Sequence, residues 1–175
     1  MKRTWLLYLF LPLAALTPLA TAELSIFGWI ERVQILDGAL ILKAKFDTGA
    51  ATSSLDATEI QIFRRAERRW VRFTVRATND GEPLVLERPV LRTVRIVRHD
   101  GAHQRRAVIS LDVCFGNHHR EVEFTLIDRR EFIYPVLLGR SALEGAALVD
   151  PGATFLSKPQ CFSPDRKASE PPVHP

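Results

Sequence analysis

Between Ile26 and Leu126 the chain alternates apolar and polar residues with a period of two, and this rhythm restricts the fold more than any other feature. In WVRFTVRA, Val71, Phe73 and Val75 alternate with Arg72, Thr74 and Arg76. RAVISLDV sets Ile109, Leu111 and Val113 on one face, and EVEFTL does the same with Val122, Phe124 and Leu126. Successive side chains of a strand point to opposite faces, so each run predicts a strand with one buried face. Turn signals separate the runs: Asp37-Gly38, Asn79-Asp80-Gly81, Asp100-Gly101 and Gly116-Asn117. Short strands with regular turns predict an all-β barrel or sandwich. Helical character is confined to Ser141–Ala146, one short C-terminal helix.

The two ends are of a different kind. MKR followed by TWLLYLFLPLAALTPLA and then Ala20-Thr21-Ala22 has the anatomy of a secretory signal peptide, residues 1–22, cut after Ala22. A retained anchor is the competing reading, but the apolar run contains two prolines and is shorter than the roughly 20 residues that span a bilayer. Cleavage predicts a periplasmic protein with no stable membrane span. It removes Lys2 and Arg3, so 24 basic residues against 20 acidic become 22 against 20. The remaining 23–157 suffice for one domain with a real core. The tail 158–175, rich in proline and charge, predicts disorder.

Arginines are dense in FRRAERRWVR. An exported protein rarely meets nucleic acid, so this stretch predicts a solvated face suited to acidic glycans, lipids or peptides. Cys114 and Cys161 both survive processing, and an oxidising compartment would let them pair. Their spacing leaves pairing and two free thiols equally open.

KAKFDTGAATSSLDA (Lys43 to Ala57) carries the chemistry. Ala39 to Phe46 reads as a strand that delivers Asp47 at its end, where Thr48 and Gly49 allow a sharp turn. Thr52, Ser53 and Ser54 offer hydroxyls for local backbone hydrogen bonds. Far downstream, FIYPVLLGRSALEGAALVD places a short apolar run before Gly139-Arg140 and the helix.

Asp-Thr-Gly-Ala after an apolar strand, together with apolar-apolar-Gly-Arg before a short helix, resembles the retropepsins. These are single-lobed aspartic peptidases that work as homodimers. Among them the chain resembles the bacterial retropepsin-like family labelled an ATP-dependent zinc protease. GWIERV, AKFDTGAATSSLDA, WVRFTV, LIDRREFIYPVLLGRSAL and LVD fit its pattern from Phe27 to Leu156. The resemblance implies a retropepsin-like acid-protease barrel with Asp47 as catalytic aspartate. Thr48, Gly49, Ala50 and Thr52 then form its supporting loop, and Leu137, Leu138 and Gly139 the segment behind it. Arg140 would open the helix. The turn Thr78, Asn79, Asp80, Gly81, Glu82 and Pro83 falls where a flap would close over substrate. In viral retropepsins the arginine pairs with an acid shortly after Asp-Thr-Gly; here Ala51 stands there, so either Arg140 uses another partner or the site is organised differently.

With one Asp-Thr-Gly per chain, an aspartate pair requires a homodimer. The expected activity is peptide-bond hydrolysis on a peptide or protein substrate. The alternative is a non-catalytic envelope module of the same fold that binds a peptide or protein. No cofactor is expected. Neither HExxH nor GxxxxGK[ST] occurs, and His118-His119 beside Glu121 and Glu123 reads as a solvated turn, not a metal site. No G-x-S-x-G elbow makes Ser53 or Ser54 a nucleophile.

Overall fold

A computed structural model describes residues 24–35, 40–76, 83–97 and 103–161. The elements in chain order are β1 (Ser25–Ile35), β2 (Leu40–Phe46), β3 (Ser53–Asp56), β4 (Thr58–Arg65), β5 (Arg68–Val75) and β6 (Leu84–Pro89). They continue with β7 (Arg92–Val97), β8 (His103–Phe115), β9 (His118–Ile127), β10 (Val136–Leu138), helix α1 (Arg140–Leu143) and β11 (Ala147–Thr154). The fold is all-β, as the alternation predicts.

The larger sheet runs β11-β1-β2-β10-β3-β9-β8-β7. Its two halves also meet, because Gln34 and Ile35 of β1 pair with Cys114 and Val113 of β8. That contact closes β1, β2, β10, β3, β9 and β8 into a barrel and leaves β11 and β7 as flanking strands. β4, β5 and β6 form a second, three-stranded sheet.

The core follows from the period-two faces. Val71, Phe73, Val75, Ile109, Leu111, Val113, Val122, Phe124 and Leu126 are all buried. At its centre Phe27, Phe46 and Phe115 pack with ring centroids 5.4 Å apart in each pair. β4 breaks the rule: Ile60 and Ile62 are exposed, and the register with β5 shifts between Thr58 and Gln61. β4 and β5 are joined by Ala66-Glu67, both at positive φ (46° and 63°), in a two-residue hairpin turn without glycine. Arg65, beside that turn, pairs with Glu87 and lies over the rings of Phe63 and Trp70.

One buried charge ties the two ends of the described domain together. Glu31 on β1 is wholly enclosed. Its Oε1 accepts hydrogen bonds from the Gly28 and Leu156 amides at 2.7 and 2.9 Å, and Oε2 accepts from the Ser157 amide at 3.2 Å. Glu31→Gln would aim an NH2 group at one set of these donors. A loss of about 2 kcal/mol is expected, read as a lowered midpoint in urea with an unchanged slope.

Beyond Ser157 the chain is still held. The Gln160 amide donates to the Gly116 carbonyl at 2.7 Å, and Cys161 is disulfide-bonded to Cys114 with Cα atoms 5.8 Å apart. Lys158–Cys161, expected to start a disordered tail, thus lie against the β8–β9 turn, because a covalent link outweighs a polar composition. Residues 1–22 and 162–175 lie outside the described residues. So do Thr78, Asn79, Asp80, Gly81 and Glu82 of the expected flap; Pro83 immediately precedes β6. The expected helix over Ser141–Ala146 is instead Arg140–Leu143, stopped where Gly145 takes a positive φ of 68°.

Candidate active site

β2 alternates Leu42, Ala44 and Phe46 into the core with Lys43 and Lys45 outward, and Asp47 continues the outward row just past the strand. β10 runs parallel to β2, with Leu138 opposite Phe46, and the Asp47 amide donates to the Leu138 carbonyl at 2.9 Å. The two chain segments singled out in the sequence therefore leave the barrel side by side. One becomes the Asp47–Thr52 loop and the other becomes Gly139 and α1.

The loop is held from the α1 side by backbone. The Arg140 amide donates to Ala50 O at 2.9 Å and the Ser141 amide to Ala51 O at 3.2 Å. The guanidinium of Arg140 donates to the carbonyls of Thr48 and Gly49, each at 3.0 Å. Arg140 thus finds two carbonyl dipoles in place of the absent acid. Removing it in Arg140→Met should lower stability by about 1 kcal/mol by loosening the loop that carries Asp47. Thermal melts measure the loss.

Ser53 and Ser54 act at long range, a correction to the expectation of local bonds. Buried Ser53 accepts the Gly139 amide at 3.1 Å, and Ser54 accepts from Arg129 at 2.9 Å. β3 lies beside β10, so a hydroxyl of one strand reaches the end of the other. Thr48 and Gly49 are exposed and offer their carbonyls to Arg140. Leu138 is buried and Leu137 partly so.

Asp47 has a partner for each oxygen. Oδ1 accepts the Gly49 amide at 3.0 Å, and Oδ2 lies 3.1 Å from Lys45 Nζ. Burial is the largest single influence on this carboxyl and pushes its pKa up. The Lys45 hydrogen bond, the Gly49 amide, the Lys45 charge and the Ala50 amide together outweigh it and hold the pKa below the ordinary value. Asp47 is therefore ionised in the single chain at neutral pH.

Asp56, buried at the end of β3, accepts the Arg129 amide at 2.6 Å and pairs with Arg76 at 2.7 Å. Arg129 also lies over the Phe132 ring at 4.3 Å. Burial has the largest effect on its guanidinium and lowers the pKa; Asp56 raises it, Arg106 lowers it and Asp47 raises it. His118 and His119 part to opposite faces of β9: His118 stacks on Phe115, and His119 lies 3.1 Å from Asp112.

Sequence reading missed Lys45, Arg129, Asp56 and Glu31. Lys45 carried a signal, since it stands two residues before Asp47 on a strand. Arg129 and Asp56 meet only through the β3–β9 pairing and carried none.

A closed barrel with one Asp-Thr-Gly at a strand end, braced by Gly-Arg from a neighbouring strand, defines a lobe of the retropepsin class. The family model described as "Retropepsin-like aspartic endopeptidase RimB" matches residues 26–160, and the chain belongs to this RimB-like family. A crystal structure of a protein of unknown function from Legionella pneumophila is similar, with a TM-score of 0.66 and 32% identity over 77% of this chain and 98% of that one. Two relatives carry the name "Probable alpha-L-glutamate ligase". The one from Shewanella halifaxensis is 36% identical over 67% of this chain and 26% of its own length. The one from Parasynechococcus marenigrum is 39% identical over 65% of this chain and 25% of its own. The chain thus spans about a quarter of the length of the curated relatives it matches.

Proposed function

We propose that the chain is an exported aspartic endopeptidase whose catalytic pair forms when two copies bring their Asp47 side chains together. The observation that carries this reading is the position of Asp47. It sits at the end of a core strand, with one oxygen fixed by the Gly49 amide and its loop braced by Arg140. The outer surface of that loop, Thr48 and Gly49, is exposed in the single chain, where a second copy would cover it. The Cys114–Cys161 bond and the signal-like N-terminus support export.

Two close carboxylates cannot both ionise cheaply, so the pair holds one proton. The ionised Asp47 takes a proton from water as its oxygen bonds to the peptide carbonyl carbon, and the protonated Asp47 gives its proton to the carbonyl oxygen. Collapse of the diol then breaks the C–N bond: one hydroxyl proton returns to the pair, and the proton first taken from water passes to the leaving nitrogen. One proton remains on the pair, ready for the next cycle. The apparent pKa values belong to the pair.

Peptides with acidic side chains are the proposed substrate class. Lys45 lies 3.1 Å from Asp47, and the relatives' printed name concerns glutamate. The ligase name is that of those longer proteins. The test is cleavage of a peptide library containing acidic and basic members, from acid to neutral pH, over a range of protein concentration, with and without chelator. A rate rising faster than linearly with concentration and indifferent to chelator supports the dimeric aspartic peptidase; chelator-sensitive cleavage overturns it. The Lys45–Asp47 ion pair favours a second reading, a peptide-binding module in which Asp47 is only a structural acceptor. Peptide binding without cleavage at any pH would establish that one.

A further inference from the structure

We propose that Lys45 is a positioning residue that sets the pH range of the Asp47 pair by placing one ammonium against each carboxylate. This rests on the aspartic-peptidase reading and goes beyond it. The geometry is fixed by the strand. Lys45 is paired with Ile30 of β1 on one side and Leu137 of β10 on the other, so its backbone sits between two strands of the closed barrel. Its side chain leaves on the face that Asp47 shares, and Nζ reaches Oδ2 at 3.1 Å. The remaining oxygen, Oδ1, is taken by the Gly49 amide.

The other charged groups facing the site do not duplicate this contact. Arg140 on α1 spends its guanidinium on the Thr48 and Gly49 carbonyls. Arg129, from the segment between β9 and β10, is tied to Ser54 Oγ and the Tyr134 carbonyl and has Asp56 at its amide. Asp56 is paired with Arg76. β10 contributes only Val136, Leu137 and Leu138, none of which titrates. Among the described residues, Lys45 is the cation in direct contact.

In a twofold pair this contact would occur twice, giving two carboxylates and two ammonium groups. A cation within hydrogen-bond reach favours the ionised form of a carboxyl, so it lowers both apparent pKa values of the pair. The active form, with a single shared proton, therefore occupies a more acidic window than an aspartate pair surrounded by neutral groups. Removing the ammonium reverses the sign: both limbs of the pH–rate bell move up.

Lys45→Met keeps the apolar stem and deletes the charge, and Lys45→Arg keeps the charge. kcat/KM is measured from pH 3 to pH 8 for the wild type and both variants. The substrate is a quenched peptide drawn from the library, with Asp47→Asn as the blank. Lys45→Met is expected to shift both limbs upward by about one pH unit, giving up to about tenfold faster cleavage than wild type on the alkaline limb. Lys45→Arg should track the wild type. A Lys45→Met bell that coincides with the wild type overturns the proposal while leaving the peptidase reading standing. So does a change in KM for acidic peptides alone, which would make Lys45 a substrate contact. If the wild type shows no Asp47-dependent cleavage, the peptidase reading itself fails. An NMR titration of the Asp47 carboxyl in wild type and Lys45→Met then decides whether Lys45 lowers its pKa; superimposable curves overturn that as well. Lys45→Gln, also neutral, substitutes if Lys45→Met folds poorly.

Discussion

Asp47→Asn is expected to reduce peptide cleavage by roughly three orders of magnitude or more while leaving the barrel folded. An amide neither shares a proton with the opposing carboxylate nor takes one from water, so general acid and general base are lost together. The fold does not depend on ionised Asp47, because its backbone amide still bonds to Leu138 O and the loop stays braced by Arg140. A mixing experiment makes the result specific to a dimer. Equal amounts of wild type and Asp47→Asn, with free subunit exchange, leave about a quarter of the dimers with two aspartates, so activity should fall to about a quarter of that of an undiluted wild type. Activity falling only to half would mean that each chain works alone.

The same substitution has a pH signature in stability. Asp47 in the single chain has its carboxyl pKa held below the ordinary value: burial, the largest influence, raises it, but Lys45 and the loop amides together prevail. A depressed folded-state pKa contributes stability that is present above the unfolded value and lost as pH falls through the folded one. Wild type should therefore exceed Asp47→Asn in thermal midpoint at neutral pH, with the gap closing below about pH 4. A gap that widens in acid would contradict the Lys45–Asp47 contact.

Gly139→Ala should be the most damaging small substitution in the site. A Cβ at Gly139 would lie 2.6 Å from the Thr52 carbonyl oxygen, 2.7 Å from its carbonyl carbon and 2.9 Å from its nitrogen. All three are backbone atoms between buried strands, so no side chain can swing aside. A loss of about 3 kcal/mol is expected, or about 10 °C in thermal midpoint. The strain has nowhere to go but the loop that carries Asp47, since Gly139 is also hydrogen-bonded to Ser53. Cleavage by the folded fraction should therefore fall on the order of a hundredfold. A variant within 1 kcal/mol of wild type would show that the two segments are not in rigid contact.

The fold was legible because burial on one face imposes a period of two, and Val71, Phe73, Ile109 and Phe124 all obey it. The Asp47 and Gly139-Arg140 segments were legible as motifs, and the parallel β2–β10 pairing brings them together. What escaped has a physical reason in each case. Arg140 is satisfied by carbonyls, and a carbonyl has no letter in the sequence. Ser53 and Ser54 bond to groups 86 and 75 residues away, where spacing says nothing. The Ala66-Glu67 turn lacks the glycine or asparagine that normally marks positive φ, and the hairpin pairing of β4 and β5 imposes it. The disulfide partners are 47 residues apart and meet only because the segment after β11 passes the β8–β9 turn.

The Glu31 carboxylate gives the domain a dependence on chain completion. Synthesis delivers β1 first, whereas the amides of Leu156 and Ser157 arrive about 125 residues later. Until then Glu31 has the Gly28 amide alone within the structure, and burying it would leave a charge short of partners. A nascent or truncated chain ending before Leu156 therefore keeps this end of the barrel hydrated and open. The domain seals only when the segment just past its last strand has been read out, so an unfinished copy is marked by an exposed carboxylate that a finished one conceals.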